Sequence, residues 1–426
     1  MKGNAETTSS ESPGARTPLW NSNFTLLWIG QFISALGDAT YGIALGFWIL
    51  AVTGSTALMG TLMAASSLPR VLVSAFAGVI VDRSDRKWLL ILMDVVRGAV
   101  VILVGIAAYM GFAKVWMVFV AGVIIGLGGA FFNPAVSSSV PDLVDRSRLV
   151  QANSVFNMIY TGSGLVGYSA GGFLYKVLGA PFMFLFNGIS YIASAISILF
   201  VRIPKIAQRV QRPHFFADLK EGFTFAWGLR GLRATLISAA ILNFFAVMGI
   251  MLILPLFERF KHLGPGLYGL LMAIFAGGLL LGFLFTSMRK FRAEERFGVF
   301  SICFVLMSIS MIMLPVSLYF PLMAFFGILT GFVNAISNAL LGGVLQMTVP
   351  QDMRGKVFGL LNSIVGGLNP VAFAVGGVLA EFIPIRLLIS GSFVVTLFLY
   401  IPLFLSKSFR TYINFNPETQ KIEDMM

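Results

Sequence analysis

Twelve long apolar runs, each near the length that crosses a bilayer and separated by short polar segments, decide what this 426-residue chain can become. A hydrocarbon core about 30 Å thick takes about 20 helical residues, and inside it every backbone polar group must be satisfied within its own segment. The runs are 24–48, 57–81, 88–110, 115–137, 151–177, 181–201, 234–257, 266–288, 297–315, 321–345, 355–380 and 385–405. They predict an all-α integral membrane protein with twelve transmembrane helices. Composition agrees, since 11% of the residues are charged where a soluble domain carries about 25%. The first twenty residues are polar, so no cleavable leader is expected ahead of the first run.

An even number of spans leaves both termini on one side. That side collects 23 of the 30 Lys and Arg residues, the other side 5, and two lie within spans. The positive-inside bias predicts cytoplasmic termini in a multi-pass plasma-membrane protein. It also accounts for the net charge of +12 without nucleic acid, because the basic residues are spread over many short segments. Attraction to anionic headgroups is the simpler reading. Cys303 is the single cysteine, and His214 and His262 fall in loops on opposite sides, so no metal site and no cofactor are expected.

The chain repeats itself. Asn133 opens a stretch reaching Gly171-Gly172, and Asn338 opens one reaching Gly376-Gly377, with the same 39-residue interval from Asn133 to Gly172 and from Asn338 to Gly377. Two six-helix bundles follow, related by an axis along the membrane normal. The expected partition is an N-terminal tail 1–22, a bundle 23–201, a linker 202–233, a second bundle 234–406 and a C-terminal tail 407–426. Phe215, Phe216, Leu219, Phe223, Ala226 and Trp227 fall near helical spacing, which predicts an amphipathic linker helix on the cytoplasmic surface.

Residues 78–87, Gly-Val-Ile-Val-Asp-Arg-Ser-Asp-Arg-Lys, match the Gly-x-x-x-Asp-Arg-x-x-Arg-Lys loop between the second and third helices of the major facilitator superfamily. Gly37-Asp38, Pro134 with Pro141, Val349-Pro350 and Arg354-Gly355-Lys356-Val357 resemble its macrolide-efflux and enterobactin-exporter branch. The resemblance covers nearly all of 24–405. It implies the major facilitator fold and a cytoplasmic gate between halves at Gly78, Asp82, Arg83, Arg86 and Lys87. Asp82 is expected to face a helix start near Arg354. Positive-inside charge alone would also explain that loop. Asp94 and Arg97, three residues apart in the third span, could pair and join the gate. Exporters of the superfamily carry Gly-Pro-x-x-Gly-Gly in the fifth span, and here Tyr168 stands in the Pro position.

Asp38 and Arg70 are opposite charges deep inside two apolar spans. A charge at that depth costs about 2.5–3.5 kcal/mol on insertion scales and is a functional hypothesis by default. Burial favours a carboxylate's protonated form and a nearby arginine its charged form. Asp38 with Arg70 is therefore the candidate proton-coupling pair. A permanent ion pair fixing helix register, or Arg70 holding an anionic substrate, are the alternatives. Gln31, Ser34, Asp38 and Tyr41 share one helix face at spacings of 3, 4 and 3. With Asn243, Asn334, Asn338 and Asn362 they are the substrate-cavity candidates, although an Asn within a span can equally bond a neighbouring helix.

The expected function is proton-coupled export of small amphipathic organic compounds by alternating access, with the protein acting as a monomer. One charge crossing 100 mV supplies about 2.3 kcal/mol, enough for more than a tenfold gradient. Siderophore or lysolipid export, or import of an anionic nutrient, would use the same fold. Clustered nucleophiles are missing from the spans and no nucleotide-binding loop is present, so neither an enzyme nor an ATP-driven pump is expected.

Overall fold

The computed structural model describes residues 18–203, 215–260, 262–351, 353–417 and 419–420. The side chains of Ser74, Ala75, Val79, Asp82, Arg146, Tyr160, Thr161 and residues 215–219 lie outside this description, as do His214 and most of the N-terminal tail. Fifteen α-helices follow in chain order: α1 Ser22–Thr53, α2 Thr56–Arg83, α3 Arg86–Tyr109, α4 Val115–Leu143, α5 Leu149–Phe200, α6 Phe215–Gly228, α7 Arg230–Met251, α8 Ile253–Arg259, α9 Gly264–Met288, α10 Ala293–Ser317, α11 Phe320–Thr348, α12 Arg354–Gly367, α13 Asn369–Phe382, α14 Ile385–Leu405 and α15 Lys407–Ile413. Local chemistry sets several ends. The Asn21 side chain accepts from the Phe24 amide at the start of α1, and Gly54 closes that helix at φ 66°. Asp85 caps α3 through the amides of Lys87 and Trp88.

Eleven of the described segments are long and apolar enough to cross a membrane. One of them, the 52-residue α5, turns at Gly179, whose φ of 76° and ψ of 170° are reached without penalty by glycine. Its arms, 149–178 and 180–200, are about 45 and 31 Å long at 1.5 Å per residue, so each can span the bilayer. The eleven segments thus make twelve crossings. The seventh crossing is α7 with α8, broken at Leu252, and the eleventh is α12 with α13, broken at Leu368 just before Pro370.

The helices pack as two bundles. In the first, α1 and α3 lie against α5, and α2 against α4; in the second, α9 and α10 lie against α11, and α14 against α7 and α10. The bundles meet along α2–α13, α5–α9 and α1–α8. Near the end opposite the termini they share one apolar core, in which Phe47, Trp48 and Phe184 pack with Met248, Phe257 and Phe393. Toward the end bearing the termini the cores separate. Phe24, Phe132 and Phe156 belong to the first bundle's core, and Leu236, Phe300 and Tyr400 to the second's. The molecule is closed at the distal end and cleft at the terminal end.

The linker helix α6 belongs to the second bundle. Ala226 and the following Leu229 enter its core, and Glu221 pairs with Lys356 of α12 at 2.7 Å. Phe223 and Trp227 stack at 4.9 Å on the exposed face. Of the expected apolar face, Ala226 packs on protein and Phe223 and Trp227 point outward, and the side chains of Phe215, Phe216 and Leu219 lie outside the described residues.

Candidate functional site

Asp38, Arg70 and Arg97 lie about halfway along their helices. Asp38 is 16 residues into α1, Arg70 is 14 into α2 and Arg97 is 11 into α3, depths of about 24, 21 and 16 Å. The sequence places Arg97 with the gate, near the start of its span. Because α3 begins at Arg86, it instead reaches the bundle interior.

Asp38 bonds Tyr191, whose hydroxyl donates to Oδ1 of the carboxylate. Tyr191 comes from the second arm of α5 and is itself buried. Close helix approach makes the bond possible. A Cβ on Gly37 would come within 2.3 Å of Ser190 Oγ and 2.6 Å of Asn187 Oδ1, so glycine there lets α1 lie on that arm. Behind Tyr191 sits Arg97. Its guanidinium lies 4.3 Å from the Tyr191 ring centroid and 4.4 Å from that of Phe132, sandwiched between two π faces. It also pairs with Asp94, which is fully buried. Gly128 of α4 makes room for the shaft, since a Cβ there would meet Arg97 Cδ at 2.7 Å. Asp94, Arg97, Tyr191 and Asp38 thus form one continuous chain of contacts inside the first bundle.

The other flank of Asp38 is open. Asp38 is exposed into a cavity of about 430 Å³ that Arg70, Asn133, Gly164 and Tyr168 also line. A second cavity, of about 440 Å³, is lined by Arg70, Asn362, Asn369 and Phe373. The two adjoin at Ser67 and Arg70, so Arg70 stands between a space in the first bundle and one at the seam with the second. Pro69 precedes it within α2. Asp38 and Arg70 face the same cavity but form no ion pair of 4.0 Å or less among the described residues. The carboxylate's direct partner is a tyrosine.

Several expected cavity residues lie elsewhere. Gln31 and Ser34 are each 4% exposed and Tyr41 is 5% exposed, with Tyr41 packed on Phe184. The polar face of α1 points largely at α5, and Asp38 is where it meets open space. Asn243 donates to Val365 O at 3.1 Å and to Asn369 Oδ1 at 2.8 Å. It satisfies a carbonyl beside the break between α12 and α13, which is a structural duty. Asn334 bonds Met307 Sδ at 3.5 Å and accepts from Asn338 on its own helix at 2.9 Å. Asn362 does line a cavity.

Several expected gate residues bond within their own bundle. Gly78 has open space where a Cβ would go, as do Gly355 and Gly359 on the facing helix. Arg86 bonds Asp142 and Ser138 O of α4, each at 2.8 Å, and Lys87 bonds Leu199 O at 2.7 Å, all within the first bundle. Arg83 is exposed. Arg354 bonds Val349 O and Gln346 O of its own bundle. The Asp82 side chain lies outside the described residues. Among the described residues, no three His, Cys, Asp or Glu side chains converge as a metal site would require.

Sequence reasoning gives no role to Tyr191 and does not place Tyr168 or Asn133 in the cavity. The signal for Tyr191 was available, because Asn187, Ser190, Tyr191 and Ser194 form a polar stripe in an apolar span.

Comparison with known proteins agrees with this architecture. The family model described as transmembrane secretion effector matches residues 13–414. Macrolide efflux protein A of Streptococcus pyogenes is 26% identical over 395 residues, covering 90% of this chain and 96% of that protein. Multidrug efflux pump Tap of Mycolicibacterium fortuitum is 26% identical over 346 residues, covering 78% and 83%. Among solved structures, a variant of the nucleoside transporter NupG superposes with a TM-score of 0.72 at 12% identity, covering 91% of this chain and 100% of that one. A D-xylose–proton symporter gives 0.64 at 16% identity, covering 89% and 97%. The chain is therefore a membrane transporter and not an enzyme, and it belongs to the transmembrane secretion effector family of the major facilitator superfamily.

Proposed function

We propose that this transporter exports small amphipathic organic compounds in exchange for protons, and that Asp38 carries the proton. The observation behind the reading is a carboxylate halfway through the bundle, hydrogen-bonded on one oxygen by Tyr191 and open on its other flank to a cavity of about 430 Å³. Arg97, one ring away, sets a fixed positive charge in balance with the carboxylate. A cationic or hydrogen-bonding compound entering beside Arg70 would change that balance, and alternating access would then present Asp38 to each side in turn. The terminal side is the cytoplasm, because 23 of 30 Lys and Arg residues lie there. The terminal cleft then opens inward, where an exporter collects its cargo. The names of the efflux relatives support the class of cargo.

Arg70 favours a second reading. It is exposed in the cavity, forms no ion pair among the described residues and stands near Asn362 and Asn369, a set that would hold an anionic compound for import. Susceptibility of an efflux-deficient bacterial host separates the readings. Wild type protects against some members of a panel of macrolides and cationic dyes, and Asp38→Asn at equal expression loses that protection. Protection against none of them would overturn the export reading and favour the importer.

A further inference from the structure

We propose that Glu381 is the latch that holds the distal face shut, by capping a helix of the opposite bundle. Glu381 lies at the end of α13, and its hydrogen-bond partners among the described residues lie at the start of α2, more than 300 positions earlier. One carboxylate oxygen, Oε1, accepts from Ser55 Oγ at 2.7 Å, Thr56 Oγ1 at 3.1 Å and the Ala57 amide at 2.9 Å. A helix leaves its first amides without internal partners and carries partial positive charge at that end. Here the second bundle supplies the acceptor and the negative charge.

The contact lies beside a close backbone approach in the seam. One turn along each helix from the latch, a Cβ on Gly60 would fall 2.3 Å from Phe373 O and 2.8 Å from Gly377 Cα. The other seam has the same backbone geometry, since a Cβ on Gly172 would fall 2.3 Å from Pro265 O and 2.8 Å from Gly269 Cα. Gly172 and Gly377 are the repeat-related pair. Four residues beyond each glycine, however, the two halves differ: Gly377 is followed by Glu381 and Gly172 by Lys176. Lys176 lies against Gly266 in the first turn of α9, where a cation gains nothing from the helix end. Charge complementarity is thus built into one seam and reversed in the other. With the terminal cleft already open, the Glu381 contact must break before the distal face can part, which makes Glu381 a positioning residue for the alternation itself.

Paired spin labels in nanodiscs test this with no substrate and no proton gradient, so the outcome is independent of the role of Asp38. In a Cys303→Ser background, labels at Met110 and Tyr319 report the distal gap, and labels at Ser147 and Lys290 report the terminal gap. Wild type gives mainly the short distal distance. Glu381→Gln and Glu381→Ala are expected to raise the distal-open fraction roughly five-fold, as loss of a helix cap would, and to shorten the terminal distance in step. Thr56→Val shifts the same equilibrium less and adds little to Glu381→Gln. Lys176→Ala leaves it unchanged. Distance distributions that stay within two-fold of wild type in both Glu381 variants overturn the proposal, as does a loss of thermal stability with unchanged distances.

Discussion

Replacing Arg97 by methionine isolates the polar chain's electrostatics, because methionine keeps the aliphatic shaft against Gly128 while removing the guanidinium. Asp94 is 0% exposed and its ion-pair partner is Arg97. Breaking a buried pair from one side costs about 3–5 kcal/mol, because a charge stays behind without compensation. Two ring contacts at 4.3 and 4.4 Å go with it, each worth about 0.5–2 kcal/mol. Helices within a membrane recover some partners even when unfolded, so the lower end of that sum, about 4 kcal/mol, is the expected loss. The companion variant Asp94→Asn with Arg97→Met removes both charges and should regain most of it, since neutralising a buried pair as a unit is often close to neutral. Thermal and denaturant unfolding in nanodiscs measures both. A single variant as stable as wild type, or a double variant no better than the single, would refute the reasoning.

Other outcomes follow from the same geometry. Tyr191→Phe should weaken gradient-driven transport when Asp38 is present and do nothing further in an Asp38→Asn background, a cycle read by vesicle uptake. Arg70→Gln should change which compounds are transported while leaving stability within about 0.5 kcal/mol, because Arg70 is exposed and forms no ion pair among the described residues. Gly60→Ala meets backbone rather than a movable side chain, so it should cost about 1–3 kcal/mol and force the distal seam apart, visible as new accessibility from outside. Lys356→Gln breaks the bridge to Glu221, which is 57% exposed at its side chain, and should cost under about 1 kcal/mol in unfolding.

The fold was legible because the bilayer leaves few choices. Apolar length set the twelve crossings, and the 39-residue interval marked Gly172 and Gly377 as related before the structure set them in opposite seams. The breaks at Leu252 and Leu368 were harder to read, since apolar composition runs straight through them. The site was half legible. Apolar context marked Asp38 and Arg70 as charges deep within their spans, and both reach one cavity. Depth says nothing of lateral position, however. The partner of Asp38 comes from 153 residues away, and no periodicity within either helix encodes that choice. For the same reason the stripe Gln31, Ser34 and Tyr41 had the right face but the wrong neighbour, because a polar face in a membrane helix can turn to a cavity or to another helix with equal economy. Glu381 escaped notice because an acid just past an apolar run looks like ordinary interfacial charge until the opposite bundle is in view.

The central claim is that the Asp38 carboxylate couples transport to protons. Inside-out vesicles acidified internally, loaded externally with a macrolide or dye against which wild type protects, test it most directly. Wild type should accumulate the compound under the acid-inside gradient and exchange it at equilibrium without one. Asp38→Asn should keep equilibrium exchange and lose the response to the gradient. Undiminished gradient-driven accumulation by Asp38→Asn would contradict the account and move the coupling site elsewhere.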